Sequence, residues 1–240
     1  MTWKVNRWLS FAQNWLFAPT CALCGHPGSG RLDLCSGCLS ELPWIERACR
    51  YCAIPLPVDG VCGQCRVDPP GFDRAVALFR YVHPMDVLVQ RLKFDGKLYA
   101  ARLLGELMAD GVASRAIDLP EAILPVPLHP ARLRQRGFNQ AVALSRILAR
   151  RLRRPVVSGG CRRVKATAAQ TGLDAQQRRR NLQGAFELRQ GVSLTHVALV
   201  DDVMSTGATL RAMAQVLRRA GVRRIDVWVC ARAVVGESRV

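Results

Sequence analysis

Leu199-Val200-Asp201-Asp202-Val203-Met204-Ser205-Thr206-Gly207-Ala208-Thr209-Leu210 is the stretch that decides how the rest of the chain folds. Val197–Val203 is a continuous apolar run ending in two carboxylates, as expected of a buried strand. A hydroxyl-rich loop with one glycine then leads into a helix over Thr209–Ala220. Its Leu210, Met213, Ala214 and Leu217 share one face, and Gly221 stops it. The backbone N–H groups of Ser205–Thr209, the hydroxyls of Thr206 and Thr209, and the helix dipole converge on one point. That makes an anion cradle of the size of a phosphate monoester, with Gly207 offering no Cβ to hinder approach. Two carboxylates beside a phosphate conflict electrostatically unless hydroxyls or a cation lie between them. A ribose with its 2′- and 3′-hydroxyls, and a nearby Mg²⁺, would resolve the conflict. A helix cap would need one aspartate, so the second is surplus to that role.

Outward from this stretch, strands and helices alternate. Ala75–Tyr81, Ala122–Val126 and Ile225–Ala231 read as strands; Met85–Phe94, Ala100–Ser114 and Asn139–Arg153 read as helices. Pro155–Leu188 is weaker, with short strand candidates at Val156-Val157 and Ala185–Leu188 around a polar loop. The alternation predicts an α/β fold with a parallel sheet flanked by helices. Asp68-Pro69-Pro70-Gly71 reads as a linker, giving three parts: residues 1–19, 20–70 and 71–240.

The middle part holds eight of the ten cysteines, as four C-x-x-C pairs: Cys21/Cys24, Cys35/Cys38, Cys49/Cys52 and Cys62/Cys65. Each pair suits two thiolates gripping one face of a tetrahedral ion, so eight thiolates imply two structural Zn²⁺ sites. Sequential use of the pairs is the simplest arrangement, and a cross-braced one is also open. No export signal precedes the cysteines, which favours metal over disulfides and predicts a cytoplasmic protein. Cys161 and Cys230 lie outside the module and read as small core residues.

The net charge is +17. Residues 1–70 carry six basic and five acidic side chains, whereas residues 71–240 carry 29 and 13, so nearly the whole positive field belongs to the C-terminal part. Such a field attracts polyanions, although an arginine-rich solubilising surface has the same composition. Residues 2–17 place Val5, Trp8, Leu9, Ala12, Trp15 and Leu16 at helical spacing. With only Lys4 and Arg7 as cations, this reads as an amphipathic helix packed on its own protein in preference to a membrane-surface anchor. No apolar run reaches transmembrane length.

The acidic pair followed by Thr206-Gly207-Ala208-Thr209 resembles the signature of type I phosphoribosyltransferases. Four further features resemble the ComF/GntX-like family of competence-associated proteins. These are Pro125-Val126-Pro127-Leu128-His129-Pro130 with Arg132, Arg134 and Arg136-Gly137-Phe138-Asn139-Gln140; Leu92-Lys93-Phe94 with Gly96-Lys97; Gln170-Thr171-Gly172-Leu173 with Arg178, Asn181 and Gly184-Ala185-Phe186; and the four cysteine pairs. The resemblance implies a type I phosphoribosyltransferase-like domain behind a double zinc ribbon, a link to DNA uptake or utilisation, and 5-phosphoribosyl-1-pyrophosphate (PRPP) with Mg²⁺ as ligand. It also implies that Asp201 and Asp202 hold the ribose hydroxyls and that Met204, Ser205, Thr206, Gly207, Ala208 and Thr209 wrap the 5-phosphate. From the residues themselves, Arg134, Arg136 and the Gly137 backbone are candidates for the pyrophosphate. The loop from Lys165 to Asn181, with Gln170 and Arg178, is either a flap over the site or an ordinary solvated loop. The acceptor for the ribosyl group is not legible. The competing reading is a module that senses PRPP or grips single-stranded DNA without turnover, or that docks DNA-uptake proteins.

Overall fold

The protein is described from a computed structural model covering residues 19–30, 32–94, 98–115, 117–165, 182, 184–189 and 194–234. The helix expected within residues 2–17, and Gln170 and Arg178 of the expected flap, lie outside the described residues. The chain forms two compact units, Met1–Leu42 and Pro43–Val240. Among its described residues the first holds one short helix, α1 (Ser36–Ser40). The second runs α2 (Gly63–Val67), β1 (Arg74–Arg80), α3 (Met85–Phe94), α4 (Leu98–Ala113), β2 (Ala122–Pro125), α5 (Pro130–Arg136) and α6 (Gln140–Leu152). It continues through β3 (Cys161–Arg163), β4 (Phe186–Leu188), β5 (His196–Met204), α7 (Ala208–Arg219) and β6 (Arg224–Arg232). No helix among the described residues is long and apolar enough to cross a membrane.

The main sheet has the order β1-β6-β5-β2, all parallel, and β3 and β4 form a separate antiparallel pair. Its strands are apolar on both faces, as a sheet covered by helices on each side requires. On one face Leu210, Met213, Ala214 and Leu217 of α7 pack with Ala77, Leu124, Leu199, Val227 and Val229. On the other, α4 and α6 pack together and against the strands. Beyond β1, Ile45 N–H donates to Leu78 O and Arg80 N–H to Pro43 O, both at 2.8 Å. Beyond β2, Ile123 N–H donates to Pro155 O and Val157 N–H to Ile123 O, both at 2.9 Å.

Two departures from the sequence reading have clear causes. The arginine-rich segment after Val126, read as a loop, is the helix α5. It has little apolar periodicity but strong ends: His129 Nδ1 accepts from Ala131 N–H, Pro130 opens the first turn, and Gly137 closes it at φ 77°. The strand Cys161–Arg163 was not anticipated; three residues paired only with β4 leave no local pattern.

The eight cysteines gather as Cys21/Cys24/Cys35/Cys38 and Cys49/Cys52/Cys62/Cys65, so the pairs are used sequentially. Within each set the sulfur atoms lie within 4.8 Å of one another. Cys24 Sγ to Cys35 Sγ is 3.6 Å and Cys52 Sγ to Cys62 Sγ is 3.7 Å. Four thiolates about 2.3 Å from a tetrahedral zinc stand about 3.8 Å apart, so both sets fit that ion. The two are built alike: Gly25 N–H donates to Cys21 O and Ala53 N–H to Cys49 O, and both donors have positive φ. The first set belongs to the smaller unit; the second is built into the unit that carries the sheet.

Two outcomes follow. Protein purified without chelator should carry two zinc ions per chain by elemental analysis, falling to one in Cys65→Ser. In α4, a Cβ on Gly105 would lie 2.8 Å from Ile147 Cβ. Gly105→Val should therefore lower stability by about 1–3 kcal/mol, seen as a lower urea midpoint at unchanged slope.

Candidate functional site

β5 delivers Asp201 and Asp202 to the C-terminal edge of the sheet, where β2 ends beside it with Pro125 opposite Val200. From there the chain leaves to opposite faces, through α7 after β5 and through α6 after β2. A crevice opens between strand ends where connections part in this way. It is a cavity of about 330 Å³ lined by Asp201, Asp202 and all of Met204–Thr209. A larger cavity, about 610 Å³, lies between the second cysteine set and β1, bordered by Arg50, Arg74 and Arg115. It includes no part of the β5–α7 turn, so size alone does not choose the site.

The carboxylates are held by the backbone. Asp201 Oδ1 accepts from Asp202 N–H at 2.9 Å, and Asp202 Oδ1 accepts from Val203 N–H at 2.7 Å. Asp202 Oδ2 also pairs with Lys93 Nζ at 3.5 Å, and that ammonium stands 5.9 Å from the centre of the Tyr81 ring. Burial, and then the adjacent Asp202, push the Asp201 carboxyl up to about 8.

The turn into α7 is short. Gly207 takes the N-cap position at φ 73°, and no side chain caps the helix there. The first amides of α7 are therefore available to a ligand, with the positive end of the helix dipole behind them. One of the expected amides is turned elsewhere, since Ala208 N–H reaches Thr206 Oγ1 at 3.4 Å. The backbone gives a further reason for the glycine, beside the open approach expected from the sequence. A Cβ there would make only ordinary contact, 3.5 Å from Met204 Sδ, but its backbone is left-handed.

Opposite the acids stands a basic wall. Arg132 and Arg136, four residues apart on α5, share one face of that helix and line the cavity together with Arg163 of β3. Burial, followed by nearby Arg132, lowers the pKa of both Arg136 and Arg163, and Asp201 opposes the shift in each. Of the anticipated residues, Asp201, Asp202, Met204, Ser205, Thr206, Gly207, Ala208, Thr209 and Arg136 border the cavity. Arg134, Gly137 and Lys165 are exposed and do not line it. Arg134 points away because it is two residues from both Arg132 and Arg136 on the helix. Tyr81, Lys93, Arg132, Asn139 and Arg163 are lining residues to which sequence reasoning gave no role. The i, i+4 spacing of Arg132 and Arg136 was a usable signal once α5 is a helix; Lys93 was marked only as part of the Leu92-Lys93-Phe94 resemblance, and Tyr81 had no signal.

Comparison with known proteins accords with this arrangement. Residues 12–66 match the double zinc ribbon domain family, and residues 139–239 match the phosphoribosyl transferase domain family. Competence protein F of Haemophilus influenzae is 39% identical over 208 residues, spanning 83% of this chain and 90% of that protein. The DNA utilization protein YhgH of Escherichia coli K12 is 34% identical over 220 residues, or 89% and 97%. Competence protein ComFC of Bacillus subtilis is 25% identical over 199 residues, or 78% and 79%. With both domain families present in order, and relatives above 30% identity matched along nearly their full length, the chain belongs to the ComF/GntX family of competence proteins.

Proposed function

We propose that the cavity at the ends of β2 and β5 binds PRPP with Mg²⁺, and that the protein acts as a phosphoribosyltransferase in the uptake or utilisation of DNA. One observation carries the reading: two carboxylates and the open amino terminus of α7 border the same cavity, faced by three guanidinium groups. A single ligand satisfies all three. Its 5-phosphate sits against the α7 amides, its ribose hydroxyls donate to Asp201 and Asp202, and its pyrophosphate meets Arg132, Arg136 and Arg163. Mg²⁺ takes oxygen ligands; the two carboxylates are the acidic oxygen donors of this cavity, and the ion would offset charge on the departing pyrophosphate.

Turnover would break the bond from the ribose anomeric carbon to the pyrophosphate oxygen and form one to an acceptor nucleophile, through an oxocarbenium-like transition state. The fixed charges of the site would then do most of the work by stabilising the leaving group. Names of the relatives refer to competence and DNA utilization, which supports the biological setting. The strong positive charge of residues 71–240 also supports a second reading, in which the protein senses PRPP or holds single-stranded DNA without turnover.

Calorimetry separates these readings. Wild type should bind PRPP only with Mg²⁺, and Asp202→Ala should weaken this roughly a hundredfold, as expected for losing charge-assisted hydrogen bonds. Absence of binding by the wild type would remove the proposal. Single-stranded DNA affinity should fall steeply with added salt, whereas PRPP binding should still depend on Mg²⁺ and Asp202. Release of pyrophosphate with any acceptor would establish turnover; binding without release would favour the sensor.

The raised Asp201 carboxyl gives a pH test. A carboxyl titrating near 8 when folded holds its proton at neutral pH, which favours the folded apo state at low pH; that contribution is lost as pH rises through about 8. A bound cation favours the ionised form, so Mg²⁺–PRPP binding at pH 7 should release a proton. The binding enthalpy should then vary with the ionisation heat of the buffer, and in Asp201→Asn that variation should vanish.

A further inference from the structure

We propose that Arg232 is a positioning residue through which the Cys49/Cys52/Cys62/Cys65 site holds the phosphate-binding turn in shape. The affinity of the cavity for a phosphorylated sugar would then depend on metal at that one site. The inference rests on the proposed PRPP reading for its ligand, but not for its structural core.

Arg232 is the last residue of β6, pairs in register with Met204 of β5, and is only 8% exposed. Its guanidinium has no carboxylate partner among its hydrogen bonds; it donates to four backbone carbonyls. Nε reaches Cys52 O at 2.8 Å, inside the second cysteine knuckle. Nη1 reaches Met204 O at 3.1 Å, and also Ser205 O and Ala233 O. One planar cation therefore bridges a metal-ligating residue and the first two residues of the turn. Met204 O also accepts from Ala233 N–H at 3.0 Å, so Arg232 adds a second donor where β5 ends and holds Ser205 O just beyond it. A buried cation held only by carbonyl oxygens is stable only while all of them stay aimed at it.

A second link runs from the same ribbon to the far side of the turn. Arg211, in the first turn of α7, donates through Nη1 to Asp68 Oδ1 at 3.0 Å and Pro69 O at 2.8 Å, and through Nη2 to Asp68 O at 3.3 Å. Asp68 is the C-cap of α2, the helix that carries Cys65. The ribbon thus grips Met204–Ser205 through one arginine and the start of α7 through another, with Thr206 and Gly207 spanning the gap. A metal fixes the Cys52 knuckle and α2 relative to each other, because Cys52 and Cys65 are ligands in one set. Without it, the two anchor points of the turn are free to move apart.

The test measures amide hydrogen exchange across Met204–Thr209, zinc content and PRPP affinity in the full chain. It compares wild type, wild type treated with a graded zinc chelator, Arg232→Met, Arg232→Lys, Arg211→Gln and the control Arg224→Met. Arg224 sits at the opposite end of β6 and pairs with Asp118, so its loss reports general weakening of the strand. Stripping the second site, or Arg232→Met, should speed exchange in the turn and weaken PRPP binding by roughly tenfold or more in each. Arg211→Gln should do so to a smaller extent. Lysine keeps the charge but not the fork, so Arg232→Lys should recover part of the loss. The control should leave the turn protected.

Unchanged exchange in the turn after the second site is emptied would overturn the proposal, as would equal loosening in the Arg224→Met control. If Arg232→Met does not fold, the chelator series on wild type and the milder Arg211→Gln give the same readout. If wild type never binds PRPP, the ligand assignment fails while the exchange measurement still decides whether the ribbon holds the turn.

Discussion

Asp201, Asp202 and the open end of α7 can cooperate only because β5 stops where it does. Eight residues of that strand are hydrogen-bonded in register to β6 and four to β2, and its interior is buried on both faces. The chain then changes from strand to helix across Ser205–Gly207, with a left-handed glycine making the reversal. Rigid placement upstream and a short turn downstream leave the carboxylates and the helix amides little freedom. Groups held in this way do not have to be ordered when a ligand arrives, which is how a small cavity acquires affinity and electrostatic effect without large motion.

The same geometry explains how acids and arginines share one cavity. Lys93 serves as counterion to Asp202, while Asp201, desolvated and next to a like charge, favours its protonated form. Across the cavity burial, and then the charge of Arg132, lower the pKa of Arg136 and Arg163. Both walls are therefore electrostatically strained in opposite senses. A ligand with hydroxyls and a cation at one end and phosphates at the other relieves both at once.

Much of this was legible from residue order because its signals are local. The β5–α7 segment combines a run apolar on both faces, an acidic pair, one glycine and a 3.6-residue stripe, and each survives in the structure with only end residues shifted. The cysteine spacing revealed knuckles but not which ones combine, since that depends on how Thr20–Pro27 and Ala48–Pro55 fold back on themselves. Helix α5 was hidden because its stability comes from its caps and not from an apolar face. The positions of Tyr81 and Lys93 were illegible for another reason. Tyr81 follows the end of β1 and Lys93 lies on α3, and only the order of strands in the sheet carries them to Asp202.

The segments beyond the outer strands have a consequence for how copies of this protein could meet. Pro43–Ile45 lies along β1 and Pro155–Val157 along β2, and each is joined to its strand by two backbone hydrogen bonds. A neighbouring polypeptide seeking to join the ladder would meet one of these short segments where the strand edge would otherwise lie bare. Covering the edge of a sheet in this way disfavours self-association by sheet extension at both sides.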